Sequence, residues 1–332
     1  MIDYTIFYKT PLDPKSDWPK DHEWDLFISA FNSSKRVHDV FNQARSKEKH
    51  WLIFPEYKYK TCEYPPQRHF ATNADSEADF ILQFLSQING QINNRRICID
   101  LTGFIRPYQM VLTKILAEKG VKQFDALYSE PTVYAQREKT HFSSGSKCAV
   151  RQVAGFEGSH STDTSNDLLI IGAGYDIELI SQVAHHKEGA KKVQLLGLPS
   201  LRADMYQENV LQADGAQESL GPANTFFSPA NDPFVTASVL SKIAAEYEKR
   251  VPITNLYLSP LASKAQVLGF WLFYHFEGNE RPTSILFPFK PEYSRETSKG
   301  IARIWKYTIE TGSRSSNNYS RSVPSRGVAR KP

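Results

Sequence analysis

One short unit recurs three times along this chain: a buried β-type run, a tight polar turn, and then a helix. The clearest copies are DLLIIGAGYDIELISQVAHH (Asp167–His186) and RICIDLTGFIRPYQMVLTKIL (Arg96–Leu116); WDLFISAFNSSKRVHDVFNQA (Trp24–Ala44) is the third. Apolar runs of this length read as strands buried on both faces, and the helical period that follows each run supplies a crossover. Crossovers between strands of one sheet are right-handed, so most of the strands should run parallel. Such sheets gather ligands outside the carboxyl ends of their strands. The predicted fold class is therefore α/β, with two Rossmann-like lobes built on mostly parallel sheets.

At 332 residues the chain exceeds what one hydrophobic core usually serves. The pattern divides it into an N-terminal α/β lobe (residues 1–154), a connection (155–167), a C-terminal α/β lobe (168–311) and a disordered basic tail (312–332). In the first lobe the pattern predicts strands over Ile2–Tyr8, Asp25–Ser29, Trp51–Phe54, Ile97–Leu101 and Phe124–Tyr128, with helices over Lys35–Ala44, Ser76–Ile88 and Pro107–Glu118. Lys147–Val153 reads as an extended strand paired near Tyr134–Thr140. In the second lobe strands are expected over Leu168–Ile171, Lys192–Leu196, Asn255–Leu258 and Ser284–Pro288, with helices ending near His186 and spanning Val235–Glu248 and Ser263–Phe276. Ser219–Pro233, with its prolines, reads as loop, and Gly300–Thr308 as a last short helix or strand.

Charge narrows the partners. The net charge is +4, yet the tail alone holds Arg314, Arg321, Arg326, Arg330 and Lys331 and no acid. The remainder is close to neutral and carries no basic stripe, so nucleic acid is an expected partner only through the tail. The opening MIDYTIFYKT reads as a strand, and no apolar run reaches membrane-spanning length. Three cysteines, Cys62, Cys98 and Cys148, form no CxxC and suggest a reducing, cytoplasmic setting without a disulfide framework. No metal site is expected, and the sequence specifies no cofactor.

The candidate site residues sit at the turns. IGAGYD contributes Gly172, Gly174, Tyr175 and Asp176: two glycines permit a close turn, a helix begins at once, and its N–H groups suit an anion. The full dinucleotide pattern requires a third glycine where Ile177 stands. DLTGFIRP contributes Asp100, Thr102, Gly103 and Arg106, whose planar fork matches phosphate or carboxylate. LYSEP adds Tyr128, Ser129 and Glu130, and SLRADMYQEN adds Arg202. Glu130 is the candidate general base, and Glu130 with Glu157 would form a carboxylate pair for glycosidic chemistry. Asn231, Asp232, Lys290 and Tyr293 are further loop groups of interest. Each has a plainer reading as a helix cap, an ion pair or a tight turn.

DLFISAFNSS (Asp25–Ser34) resembles the opening strand and turn of TIR domains over ten residues, and DLTGF resembles the strand–turn segment of CARF-type nucleotide sensors. These resemblances imply a sensing role in defence or signalling. The leading expectation is a protein that binds or senses a nucleotide-like or phosphorylated small molecule in a cleft. A transferase or hydrolase using Glu130 as base is the first alternative. A structural subunit, with a protein partner held by exposed aromatic loops, is the second.

Overall fold

The computed structural model describes residues 2–15, 23–88, 90–134, 143–144, 148–174, 176–201, 220, 224–296 and 298–312. The first sheet has seven strands: β1 (Tyr8–Leu12), β2 (Glu23–Ala30), β3 (Arg45–Ile53), β4 (His69–Ala71), β5 (Ile97–Asp100), β6 (Gln123–Tyr134) and a strand from the far end of the chain, β15 (Ser298–Glu310). Their order is β1-β15-β6-β5-β2-β3-β4. From β6 to β4 all neighbours are parallel, and β15 is antiparallel to both β6 and β1.

The second sheet has six strands: β8 (Ala149–Gln152), β9 (Leu168–Gly172), β10 (Lys191–Gly197), β11 (Asn224–Ser228), β12 (Leu256–Pro260) and β13 (Thr283–Phe289), in the order β11-β10-β9-β12-β13-β8. Only β8 is antiparallel to its neighbour. A two-stranded pair, β7 (Ser143–Ser144) with β14 (Glu292–Tyr293), lies apart from both.

The two sheets repeat one topology. In each, the earliest parallel strand is central, the next two add outward on one side, and the following two add on the other. This is the order of the first five strands of a doubly wound Rossmann sheet, whose direction reverses at a switch point beside the central strand. The switch falls between β2 and β5 in the first sheet and between β9 and β12 in the second. The central strands β5 (ICID), β9 (LLIIG) and β12 (LYLSP) are buried at every residue, as parallel strands covered on both faces must be.

The covering helices follow from sequence period. On one face of the first sheet, α1 (Lys35–Gln43) turns Val37, Val40 and Phe41 inward against Phe27, Trp51 and Cys98. On the other face lie α2 (Glu77–Ser86) and α3 (Arg106–Glu118). Around the second sheet are α4 (Ile177–His186), α5 (Pro233–Glu248) and α6 (Lys264–Glu277). One apolar core runs from α3 through Phe124 and Trp271 into α6, so the sheets share packing.

Several expectations are corrected. The segment Ile2–Tyr8 begins with a 3-10 turn at Tyr4–Ile6, with Tyr4 donating to Glu277, and the strand starts at Tyr8. Lys147–Val153 does supply a strand, but β8 pairs with β13, so this part of residues 1–154 belongs to the second sheet. Residues 298–310 leave the expected second lobe and join the first sheet, because the open edge of β6 takes β15 along its whole length. Ser219–Pro233 contains β11, an edge strand whose prolines lie outside it. The expected tail from residue 313 onward lies outside the described residues. Among the described residues no helix is long and apolar enough to cross a membrane.

Candidate ligand-binding site

A cavity of about 120 Å³ lies where the two switch points face each other. The first sheet contributes Asn32, Ser34 and Arg36 after β2, and Thr102, Phe104, Ile105 and Arg106 after β5. The second contributes Ala173 and Gly174 after β9, and Ala262, Ser263 and Lys264 after β12. Tyr57, Tyr128, Tyr293, Arg295 and Ser298 close the walls.

Two glycines make the turns tight enough to build this floor. A Cβ on Gly103 would stand 2.3 Å from the Ala30 carbonyl oxygen, so only glycine lets the turn after β5 lie against the end of β2. A Cβ on Gly174 would stand 2.4 Å from the Leu261 carbonyl oxygen, which is the same solution across the second switch point. Asp100 holds the first turn: one carboxylate oxygen accepts from Thr102 N at 3.1 Å and the other from Ser29 Oγ at 3.0 Å. Burial pushes its carboxyl pKa up, against those two hydrogen bonds. Thr102 then accepts from Ser129 N at 3.1 Å, and Tyr57 donates to Gly103 O at 2.8 Å.

Cations predominate along the lining, with the carboxylates of Asp100 and Asp176 close enough to act on Arg36 and Arg106. Arg36, Arg106 and Lys264 converge from α1, α3 and α6, and no ion pair joins any of them to a carboxylate among the described residues. Each instead spends one donor on a backbone carbonyl: Arg36 on Ser129, Arg106 Nε on Ala262 at 2.8 Å, and Lys264 on Phe104. Burial lowers the Arg106 pKa, opposed by Tyr293, Tyr128 and Asp176. The Lys264 amine falls well below the usual lysine range, first through burial and then through Arg106 and Arg36.

Three buried polar atoms of residues lining the cavity have no hydrogen-bond partner among the described residues: Ser34 Oγ, Arg36 Nε and Ser298 Oγ. Such atoms each cost roughly 1–3 kcal/mol of desolvation unless something else satisfies them. Two helices also open onto the cavity without a side-chain cap, α1 behind Ser34 and α3 behind Ile105. Their free N–H groups and dipoles favour negative charge.

The residues expected from sequence divide into three groups. Thr102, Arg106, Tyr128 and Gly174 line the cavity. Asp100, Gly103 and Ser129 support it from behind, and Asp176 caps α4 by accepting from Leu179 N at 3.3 Å. Gly172 is a packing glycine, since a Cβ there would meet Phe270 at 2.8 Å.

The third group stands away from the cavity lining. Glu130 is buried and accepts from Trp305 Nε1 at 2.6 Å and Asn231 Nδ2 at 2.8 Å. Glu157 is exposed and accepts from Gly155 N, and it shares no partner with Glu130. Asp232 caps α5 and pairs with Lys9, and Lys290 pairs with Glu178. Tyr175 and Arg202 lie outside the described residues. Sequence reasoning missed Ser34, Arg36, Lys264 and Ser298, although the first two sit in the third recurring unit and SPLASK (Ser259–Lys264) has the same strand–turn–helix form.

The strand order and the facing switch points define an α/β protein with Rossmann-like sheets and an electropositive cavity. No protein-family model and no curated protein matches the chain. Among solved structures, a ketoreductase domain from the bacillaene assembly line is matched at 7% identity over 81% of this chain and 69% of its own, with a TM-score of 0.22.

Proposed function

We infer that this chain binds a small molecule bearing a phosphoryl group, nucleotide-like or otherwise phosphorylated, in the cavity between two Rossmann-like lobes. One observation carries the reading: two guanidinium groups, Arg36 and Arg106, with no ion pair among the described residues, converge with Lys264 and three unpartnered polar atoms beside two helix starts that lack side-chain caps. Buried charge is costly unless it is paired, and here the missing counter-charge is the ligand. A dianion with several acceptor oxygens answers two guanidinium groups and two sets of N–H groups better than a carboxylate does.

The enzyme alternative with Glu130 as base lacks a comparable support, because Glu130 is held by Trp305 and Asn231 off the cavity lining. The subunit alternative looked to exposed aromatics, and Trp51, Tyr57, Trp271 and Trp305 are all buried.

Isothermal titration with inorganic phosphate and with ADP tests the reading. Both should bind, and Arg106→Ala should weaken both far more than Lys35→Ala, whose side chain is 83% exposed. Equal effects of the two substitutions, or no binding at millimolar ligand, would overturn it.

A further inference from the structure

Lys264 is placed differently from its two arginine neighbours. It occupies the first turn of α6, behind the Ser263 cap, and lines the cavity. An ammonium carries three N–H donors, and Lys264 has a single described partner, the Phe104 carbonyl. The charged groups facing it are Arg106 from α3 and Arg36 from α1. Tyr293, Tyr128, Tyr57 and Asp176 are the groups facing Arg106 in turn. Like charges, a helix start and partial burial all disfavour the ammonium and favour the free amine. Two permanent cations beside a free amine are the arrangement that activates a lysine toward carbonyl carbon.

We propose that Lys264 is a nucleophilic amine that condenses with the carbonyl of a phosphorylated aldehyde or ketone to form an imine. This rests on the anion-binding reading of the cavity, and it names the ligand class more closely. The Nζ lone pair attacks the carbonyl carbon and forms the C–N bond. The carbonyl oxygen leaves as water with both amine protons, completing C=N. Arg36 and Arg106 hold the phosphoryl group and keep their charge throughout, since guanidinium does not deprotonate in proteins.

Glycolaldehyde phosphate with cyanoborohydride tests the proposal, because the hydride reduces the imine to a stable secondary amine at the modified lysine. Peptide mass spectrometry of the intact chain treated at neutral pH then reads every lysine in one sample. Lys264 should label at least about tenfold faster than Lys35, because the bound phosphoryl group holds the aldehyde beside its amine. Excess inorganic phosphate should slow Lys264 and leave Lys35 unchanged, and unphosphorylated glycolaldehyde should show a smaller preference. Lys264→Arg should abolish the fast label. If Lys264 labels no faster than Lys35 in protein that still binds phosphate, the nucleophile is overturned and the anion site stands. If phosphate does not bind either, both readings fall.

Discussion

The helix starts after β5 and after β9 look alike in sequence and differ in chemistry. IGAGYD has the two glycines, yet its helix is closed by its own acid: Asp176 accepts from Leu179 N. Gly172 packs against Phe270, and Gly174 lines the cavity only as a tight turn against Leu261. DLTGFIRP has one glycine, used against Ala30, and its helix start is left without a side-chain cap while Arg106 turns into the cavity. A helix that carries its own carboxylate at the N-cap has already spent the field an anion would use. The open start with a cation beside it has not.

That contrast can be broken at four points. The largest effect is expected from Gly174→Val. Its side chain would drive into the Leu261 carbonyl, costing roughly 3 kcal/mol of stability by urea denaturation; a near-neutral result would mean the second switch point is not tightly built.

Arg106→Ala should weaken phosphate binding by about 2 kcal/mol, the scale of a hydrogen bond to a charged group, in calorimetric titration. Asp176→Ala should cost about 1 kcal/mol of stability through loss of the cap while leaving phosphate affinity intact. A loss of affinity there would bring the glycine turn back into the site.

Ser34→Ala is the finest discriminator. Its hydroxyl is buried without a partner, so thermal unfolding of the free protein should change by less than about 0.5 kcal/mol, whereas phosphate binding should weaken by about 1 kcal/mol. A matched loss in both measurements would make Ser34 structural.

The strand–turn–helix units were legible because a fully buried parallel strand has a continuous apolar run and its helix a clear period. β5, β9, α1 and α4 fall where that pattern predicts. The site was legible only in part. A glycine in such a turn admits either a ligand or a neighbouring backbone, and both uses read alike in one sequence. Arg36 and Lys264 carried no glycine to draw notice. Tyr293 and Ser298 reach the cavity from a segment far along the chain, at β14 and at the start of β15. No local pattern announces that residues 298–310 will cross back to pair with β6.

That return has an effect on biogenesis. While a ribosome is still synthesising the stretch around Ser298–Glu310, the hydrogen-bonding rim of β6 has no mate, and β1 has nothing to lie against. The amino-terminal half therefore waits, with a sticky border, for the arrival of a strand made nearly last among the described elements. Shortened products ending before Ser298 should be prone to self-association, and chaperone demand should be highest before that stretch emerges.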